Sequence, residues 1–221
     1  MRLASASLAF VAACASLVAA TPAFADTFTV FSTPTSTYVA DTTNYGGGNG
    51  SGGTISSLGV FTFSSGLTEG YVPGSWSTWG VPPNTQSAYP DVLKDIGGSS
   101  LLLTLAPGSN IAGLELEPDN YGAYTFSVSF YNENGVLVDT LSLSPNGSAG
   151  ALQFALEDTT PGQTIGSIYI TGGGASDGFA IAQLSAGDIA STPEPSSLVL
   201  LGTGLIGIAG MARRRLRAVQ A

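Results

Sequence analysis

Residues Gly122–Ser144 read GAYTFSVSFYNENGVLVDTLSLS, and their pattern decides the fold class. Tyr124, Phe126, Val128 and Phe130 fall on one face of an extended chain, with Thr125, Ser127 and Ser129 on the other. Side chains alternate across a strand, so this is a β-strand with one face buried and one polar, the signature of an antiparallel sheet. Asn132-Glu133-Asn134-Gly135 follows, and Asn-Gly accommodates the positive φ of a tight turn. A hairpin into Val136–Ser144 is therefore predicted.

The same grammar extends in both directions. Thr27–Phe31, Gly59–Phe63, Ser99–Ala106, Ile111–Glu117, Ala151–Leu156, Ile165–Thr171 and Phe179–Ser185 are short β-type runs punctuated by Gly, Pro, Asn and Asp. Asp41–Ser57 is dominated by glycine and is expected to be a flexible, poorly ordered loop, since it offers little apolar surface to bury. It has no lysine after the glycines and no strand–loop–helix setting, so a phosphate cradle is not indicated. Helical periodicity is absent except for one short turn expected near Pro90–Ile96. Strands at this spacing predict an all-β fold, an antiparallel, jelly-roll-like β-sandwich spanning 26–190.

Both ends differ from this domain. Met1-Arg2, the uncharged apolar Leu3–Ala20 and the small-x-small triplet Ala23-Phe24-Ala25 read as a signal peptide over 1–25, cleaved after Ala25. Val11-Ala12-Ala13-Cys14 has the look of a lipobox, but apolar residues continue past it to the better site at Ala25. Of the six basic residues, Arg2, Arg213, Arg214, Arg215 and Arg217 lie in the end segments. Lys94 stands alone between Asp26 and Thr192, against fourteen of the fifteen Asp and Glu. So anionic a domain disfavours nucleic acid as a partner. The chain has no histidine, and its one cysteine, Cys14, lies in the signal segment. Disulfides, Cys/His zinc sites and His-dependent nucleophilic triads are excluded for the mature domain.

Two clusters carry candidate chemistry. Trp76 and Trp79 lie in a Pro- and Gly-rich stretch, where aromatic faces either stack on sugars or cap the core. Tyr71 and Tyr89 flank them as further candidate platforms. Glu115, Glu117 and Asp119 leave one strand together, and Glu115 and Glu117 share a face. That arrangement suits a solvated strand face, a calcium site or, in third place, the paired carboxylates of a glycosidase. Glu157-Asp158 and Asp177-Gly178 read as turn residues first.

After Thr192 come Pro193-Glu194-Pro195-Ser196-Ser197, an apolar run, then Arg213, Arg214, Arg215 and Arg217. Ser196–Met211 is apolar or small throughout. A transmembrane helix is expected over 196–212, ~24 Å long against a ~30 Å hydrocarbon core, so it is a short span. Its arginines stop transfer and stay cytoplasmic, leaving the β-domain outside the inner membrane. This three-part tail, 191–221, resembles the PEP-CTERM sorting signal of Gram-negative bacteria. The resemblance implies a membrane protease of the exosortase type that recognises Pro-Glu-Pro and removes or transfers the segment, making the anchor transient. It also implies association with exopolysaccharide and biofilm. NYGAYTFSVSFYNENG and GFAIAQL further resemble the β-regions of other proteins with this tail.

The expected function is that of an exported, non-enzymatic surface or extracellular-matrix protein sorted by its tail, with no required cofactor. The alternative is a carbohydrate-binding module using Trp76 and Trp79, with calcium as a candidate ion.

Overall fold

A computed structural model describes residues 28–160, 163–172, 174 and 177–187. The signal segment with Ala23 and Ala25, the Pro193-Glu194-Pro195 motif, the 196–212 segment and the arginine cluster lie outside the described residues. Among the described residues no helix is long and apolar enough to cross a membrane.

The chain runs β1 (Phe28–Phe31), α1 (Ser36–Asp41), β2 (Thr43–Gly46), β3 (Thr54–Leu58), β4 (Phe61–Tyr71), β5 (Asp91–Ile96) and β6 (Ser100–Leu105). It continues through β7 (Ile111–Pro118), β8 (Phe126–Asn132), β9 (Leu137–Leu143), β10 (Leu152–Asp158), β11 (Ile165–Gly172) and β12 (Gly178–Gly187). The strand pairs are antiparallel. They join into one twelve-stranded sheet ordered β1-β10-β7-β12-β5-β4-β6-β11-β8-β9, with β2 beside β12 and β3 beside β4.

Instead of two separate sheets, one continuous sheet folds over on itself and nearly closes. The long strand β4 makes the turn: Phe61–Phe63 pair with β6, while Thr68–Tyr71 pair with β5. The two halves face each other across one apolar core. Phe126 of β8 meets Phe179 of β12 edge-on at 5.5 Å although these strands are not sheet neighbours. The end strands β1 and β9 approach each other, and Phe28 and Leu137 line one small cleft between them.

Alternation in β8 is as expected, with Phe126, Val128 and Phe130 fully buried. On the opposite face, hydroxyls pair across to β9: Thr125 with Ser144 at 2.9 Å, Ser127 with Ser142 at 2.8 Å and Ser129 with Thr140 at 2.8 Å. The Asn-Gly turn closes the hairpin with Gly135 at φ 73° and the Gly135 N–H donating to Asn132 O at 2.9 Å.

Three local expectations are corrected. Pro90–Ile96 is not helical: Asp91–Ile96 forms β5, because Val92 and Leu93 are both fully buried, one on each face of a sheet covered on both sides. The one described helix is α1, whose N-terminus is capped by Thr35 Oγ1 accepting from the Tyr38 N–H at 3.1 Å. Asp41–Ser57 is built into the fold. It supplies β2, β3 and a loop fastened to the buried Glu69, whose carboxylate accepts from the Asn49 N–H at 3.0 Å and Ser51 Oγ at 2.5 Å. Glycine is required there by close approach, since a Cβ on Gly47 would stand 1.9 Å from the carbonyl oxygen of Asp91.

Candidate functional site

Strands β7 and β12 are buried on both faces, which determines what their acidic residues can do. Their inner residues, Leu114, Leu116, Phe179 and Ile181, join the main core. On the outer face Ala180 sits opposite Glu117, and Ala182 opposite Glu115. These small alanines leave room for the segment 72–90 to lie down on the sheet. Val72, Trp76 and Trp79 pack there against Val92, Ala151, Ala180 and Ala182 as a second apolar cluster.

Trp76 and Trp79 are 6 % and 2 % exposed, so neither is the open sugar platform that one reading of the sequence offered. Glu115 and Glu117 are 0 % exposed, so they are not a solvated strand face. The two clusters meet each other instead. Trp76 Nε1 donates to Glu117 Oε2 at 2.8 Å, and Trp79 Nε1 donates to Glu115 Oε2 at 2.9 Å.

Each carboxylate takes further donors from the covering segments. Glu115 Oε1 accepts from the Gln86 N–H at 2.5 Å. Glu117 Oε1 accepts from Thr78 Oγ1 at 3.1 Å, and the backbone N–H groups of Ala149 and Gly150 also donate to this carboxylate. Ala149 adopts the left-handed region, φ 60°, a backbone state that a non-glycine residue seldom takes. Glu117 thus ties two loops to one strand. Lys94 is the one basic residue within the described segments, so N–H and O–H donors, not cations, satisfy these buried acids.

Two magnitudes divide the labour. A buried indole removes roughly 150–250 Å² from water, about 4–6 kcal/mol per ring at ~25 cal/mol per Å². Each hydrogen bond contributes only about 1–3 kcal/mol net, even to a charged acceptor. Burial therefore drives the cover onto the sheet, and the carboxylates decide where each ring sits.

Burial raises the pKa of Glu115 from 4.5 to about 7, against the lowering effect of the Trp79 and Gln86 bonds. Glu117 is also raised by burial, opposed by donors from Trp76, Thr78, Gly150 and Ala149. Asp119 stands apart, exposed at the end of β7. Its pKa is raised by desolvation first and by Asp177 second, while Lys94 lowers it.

The calcium candidate Glu115, Glu117 and Asp119 is corrected on these grounds. Two of its carboxylates already accept from protein donors under the cover, and the third lies outside it. Among the described residues no group of three or more His, Cys, Asp or Glu side chains gathers to hold a metal ion. Glu157 and Asp158 end β10, and Asp158 Oδ1 accepts from the Thr160 N–H at 2.9 Å, which is turn chemistry.

Beside the Glu117 peg lies an open cleft of about 120 Å³ lined by Ser75, Trp76, Ser77, Thr78, Asp119, Tyr121 and Gly147. Tyr121 is 72 % exposed. The sequence did not single it out, and tryptophan spacing was weighed apart from acid spacing. A usable signal existed: a buried indole needs an acceptor, and the two Trp and the Glu115/Glu117 pair could have been matched. Tyr71 and Tyr89 are exposed but do not line this cleft.

Residues 191–215 match the PEP-CTERM protein-sorting motif. This is the C-terminal sorting signal of exosortase substrates, and it implies an exported protein sorted at the membrane by exosortase. The match includes Pro193, Glu194, Pro195 and Arg213–Arg215. No curated protein matches the chain. Among solved structures, the chain is similar to the enzymatically active domain of bacteriophage CBA120 tailspike protein 4, at 18% identity and TM-score 0.35. That likeness covers 66% of this chain and 22% of the tailspike domain. It is also similar to the C-terminal family 22 carbohydrate-binding module of Clostridium thermocellum Xyn10B, at 11% identity and TM-score 0.34, covering 66% of this chain and 99% of the module.

Proposed function

We propose that this chain is a non-enzymatic component of the cell surface or extracellular matrix, delivered by its tail and associated with exopolysaccharide and biofilm. The observation that carries this reading is the sorting motif at 191–215. Two features support a non-catalytic role. The sequence has no histidine, and its only cysteine falls in the signal segment. The acid pair that most resembled catalytic carboxylates is occupied in holding the cover segment. We take the folded sheet as a jelly-roll-like sandwich that presents loops at its end.

Intact-mass measurement of the mature protein tests delivery. In cells with a working exosortase, the mass is expected to correspond to a chain starting at Asp26 and lacking the residues beyond the Pro193-Glu194-Pro195 region. Deleting the exosortase, or replacing Pro193-Glu194-Pro195 by alanines, is expected to restore the tail. A mature chain that still ends at Ala221 in exosortase-positive cells would refute the reading.

A further inference from the structure

We propose that the cleft between Tyr121, Asp119, Ser77 and Gly147 binds a ring of a neutral saccharide. The volume, about 120 Å³, is far below the roughly 300–1,000 Å³ of a drug-sized pocket and suits a single sugar ring held at the surface. Its lining combines the two chemistries a sugar presents. Tyr121, 72 % exposed, offers an aromatic surface for C–H faces, and the largely buried Trp76 also lines the cleft. Asp119, Ser75 and Ser77 offer a carboxyl group and two hydroxyls for sugar O–H groups.

The walls are held in place before any ligand arrives. Trp76 and Thr78 on one side, and the Ala149 and Gly150 N–H groups behind Gly147 on the other, end on the same buried carboxylate of Glu117. Thr78 Oγ1 also lies 3.3 Å from Gly147 O, so its one proton is shared between the Glu117 carboxylate and the opposite wall. The Gly147 N–H donates to Gly122 O at 3.0 Å, which fixes the turn that carries Tyr121. A wall ordered in advance reduces what binding must spend on loop ordering.

Charge selects the class of sugar. Asp119 lies in the field of Asp177, and Lys94 is the only basic residue of the domain available to offset them. A uronate or sulfated sugar would bring a third negative charge to this spot, so the cleft favours uncharged rings. Delivery by the tail and binding by the domain are separable, and a failed sugar titration leaves the reading of the tail untouched.

The test titrates the full chain with neutral gluco-, manno- and xylo-oligosaccharides and, separately, with oligogalacturonate, read by saturation-transfer NMR. At least one neutral series is expected to bind with a Kd on the order of 0.1–1 mM, and oligogalacturonate at least about tenfold more weakly. Tyr121→Ala should weaken binding about tenfold or more without moving the melting temperature, whereas Tyr89→Ala, outside the cleft, should change neither. Ser77→Asp, which adds a carboxylate to the cleft, should weaken binding comparably and serves if Tyr121→Ala perturbs folding. The proposal is overturned by absence of binding to every neutral series at millimolar concentration. Equal binding of oligogalacturonate, or binding indifferent to both Tyr121→Ala and Ser77→Asp, overturns it as well.

Discussion

Glu117→Ala is expected to destabilise the domain by about 3–5 kcal/mol, near the upper end for a single substitution. The carboxylate accepts from Trp76 Nε1, Thr78 Oγ1 and the backbone N–H groups of Ala149 and Gly150. Truncation leaves these donors without their acceptor, at about 1–3 kcal/mol for each buried one that finds no new partner; the Trp76 indole is buried, whereas the exposed Ala149 can turn to solvent. Thr78 can fall back on Gly147 O, already 3.3 Å away, which keeps the total below the full sum. Glu117→Gln retains one acceptor oxygen of similar shape and should cost less, about 1–2 kcal/mol. Urea unfolding measures both values. A loss under about 1 kcal/mol for the alanine variant would show that the covering loops stand without this carboxylate.

The second large effect is a dependence on pH that runs opposite to that of a salt-bridged acid. Glu115 has its pKa raised by burial from 4.5 to about 7 in the folded protein. Below about pH 4.5 the group is protonated in both folded and unfolded chains, and its contribution is fully present. Between about 4.5 and 7 the folded chain keeps a proton that the unfolded chain releases, so stability falls as pH rises. The loss amounts to about 3 kcal/mol once the pH passes the folded value. The groups facing Glu115 are Trp79 and Gln86 from the cover, Gln153 opposite it on β10, Ala182 opposite it on β12, and the buried Tyr38 of α1. Glu117 is shifted in the same direction and adds to the slope. Self-repulsion of this acidic domain also grows with pH, and Glu115→Gln separates the two terms. Denaturation curves at about pH 4.5 and about pH 7.5 should show a much smaller difference in that variant than in the wild type. Equal slopes in the two proteins would remove Glu115 as the source.

Much of the architecture was legible because alternation is a direct consequence of strand geometry. Tyr124, Phe126, Val128 and Phe130 faced one way in the sequence, and their strand lies in the sheet accordingly. What alternation does not encode is whether the second face of a strand is covered. Pro90 and Asp91 suggested a helix start, although the adjacent Val92 and Leu93 belong to a strand buried on both sides. Glu115 and Glu117 kept the pattern and suggested a wet face, yet segment 72–90 lies over them. That segment has no periodicity of its own, and its position depends on alanines contributed by β12, far away in the chain. Composition misled in Asp41–Ser57 for a related reason: the glycines there allow close backbone approach to β5 and to Glu69. The tail, by contrast, is a local three-part pattern that needs no tertiary context, and its sorting motif was legible directly.

The two indole N–H groups offer the most direct measurement of whether Glu115 and Glu117 are structural pegs. Trp76 and Trp79 are the only tryptophans in the chain, so a ¹⁵N-labelled sample gives two indole cross-peaks without ambiguity. Both should be strongly protected from hydrogen exchange. Glu117→Gln should move and deprotect the Trp76 signal while sparing that of Trp79, and Glu115→Gln should do the reverse. If both native indoles exchange at the rate of free tryptophan, the rings are not held by these carboxylates and the account of the acidic pair fails.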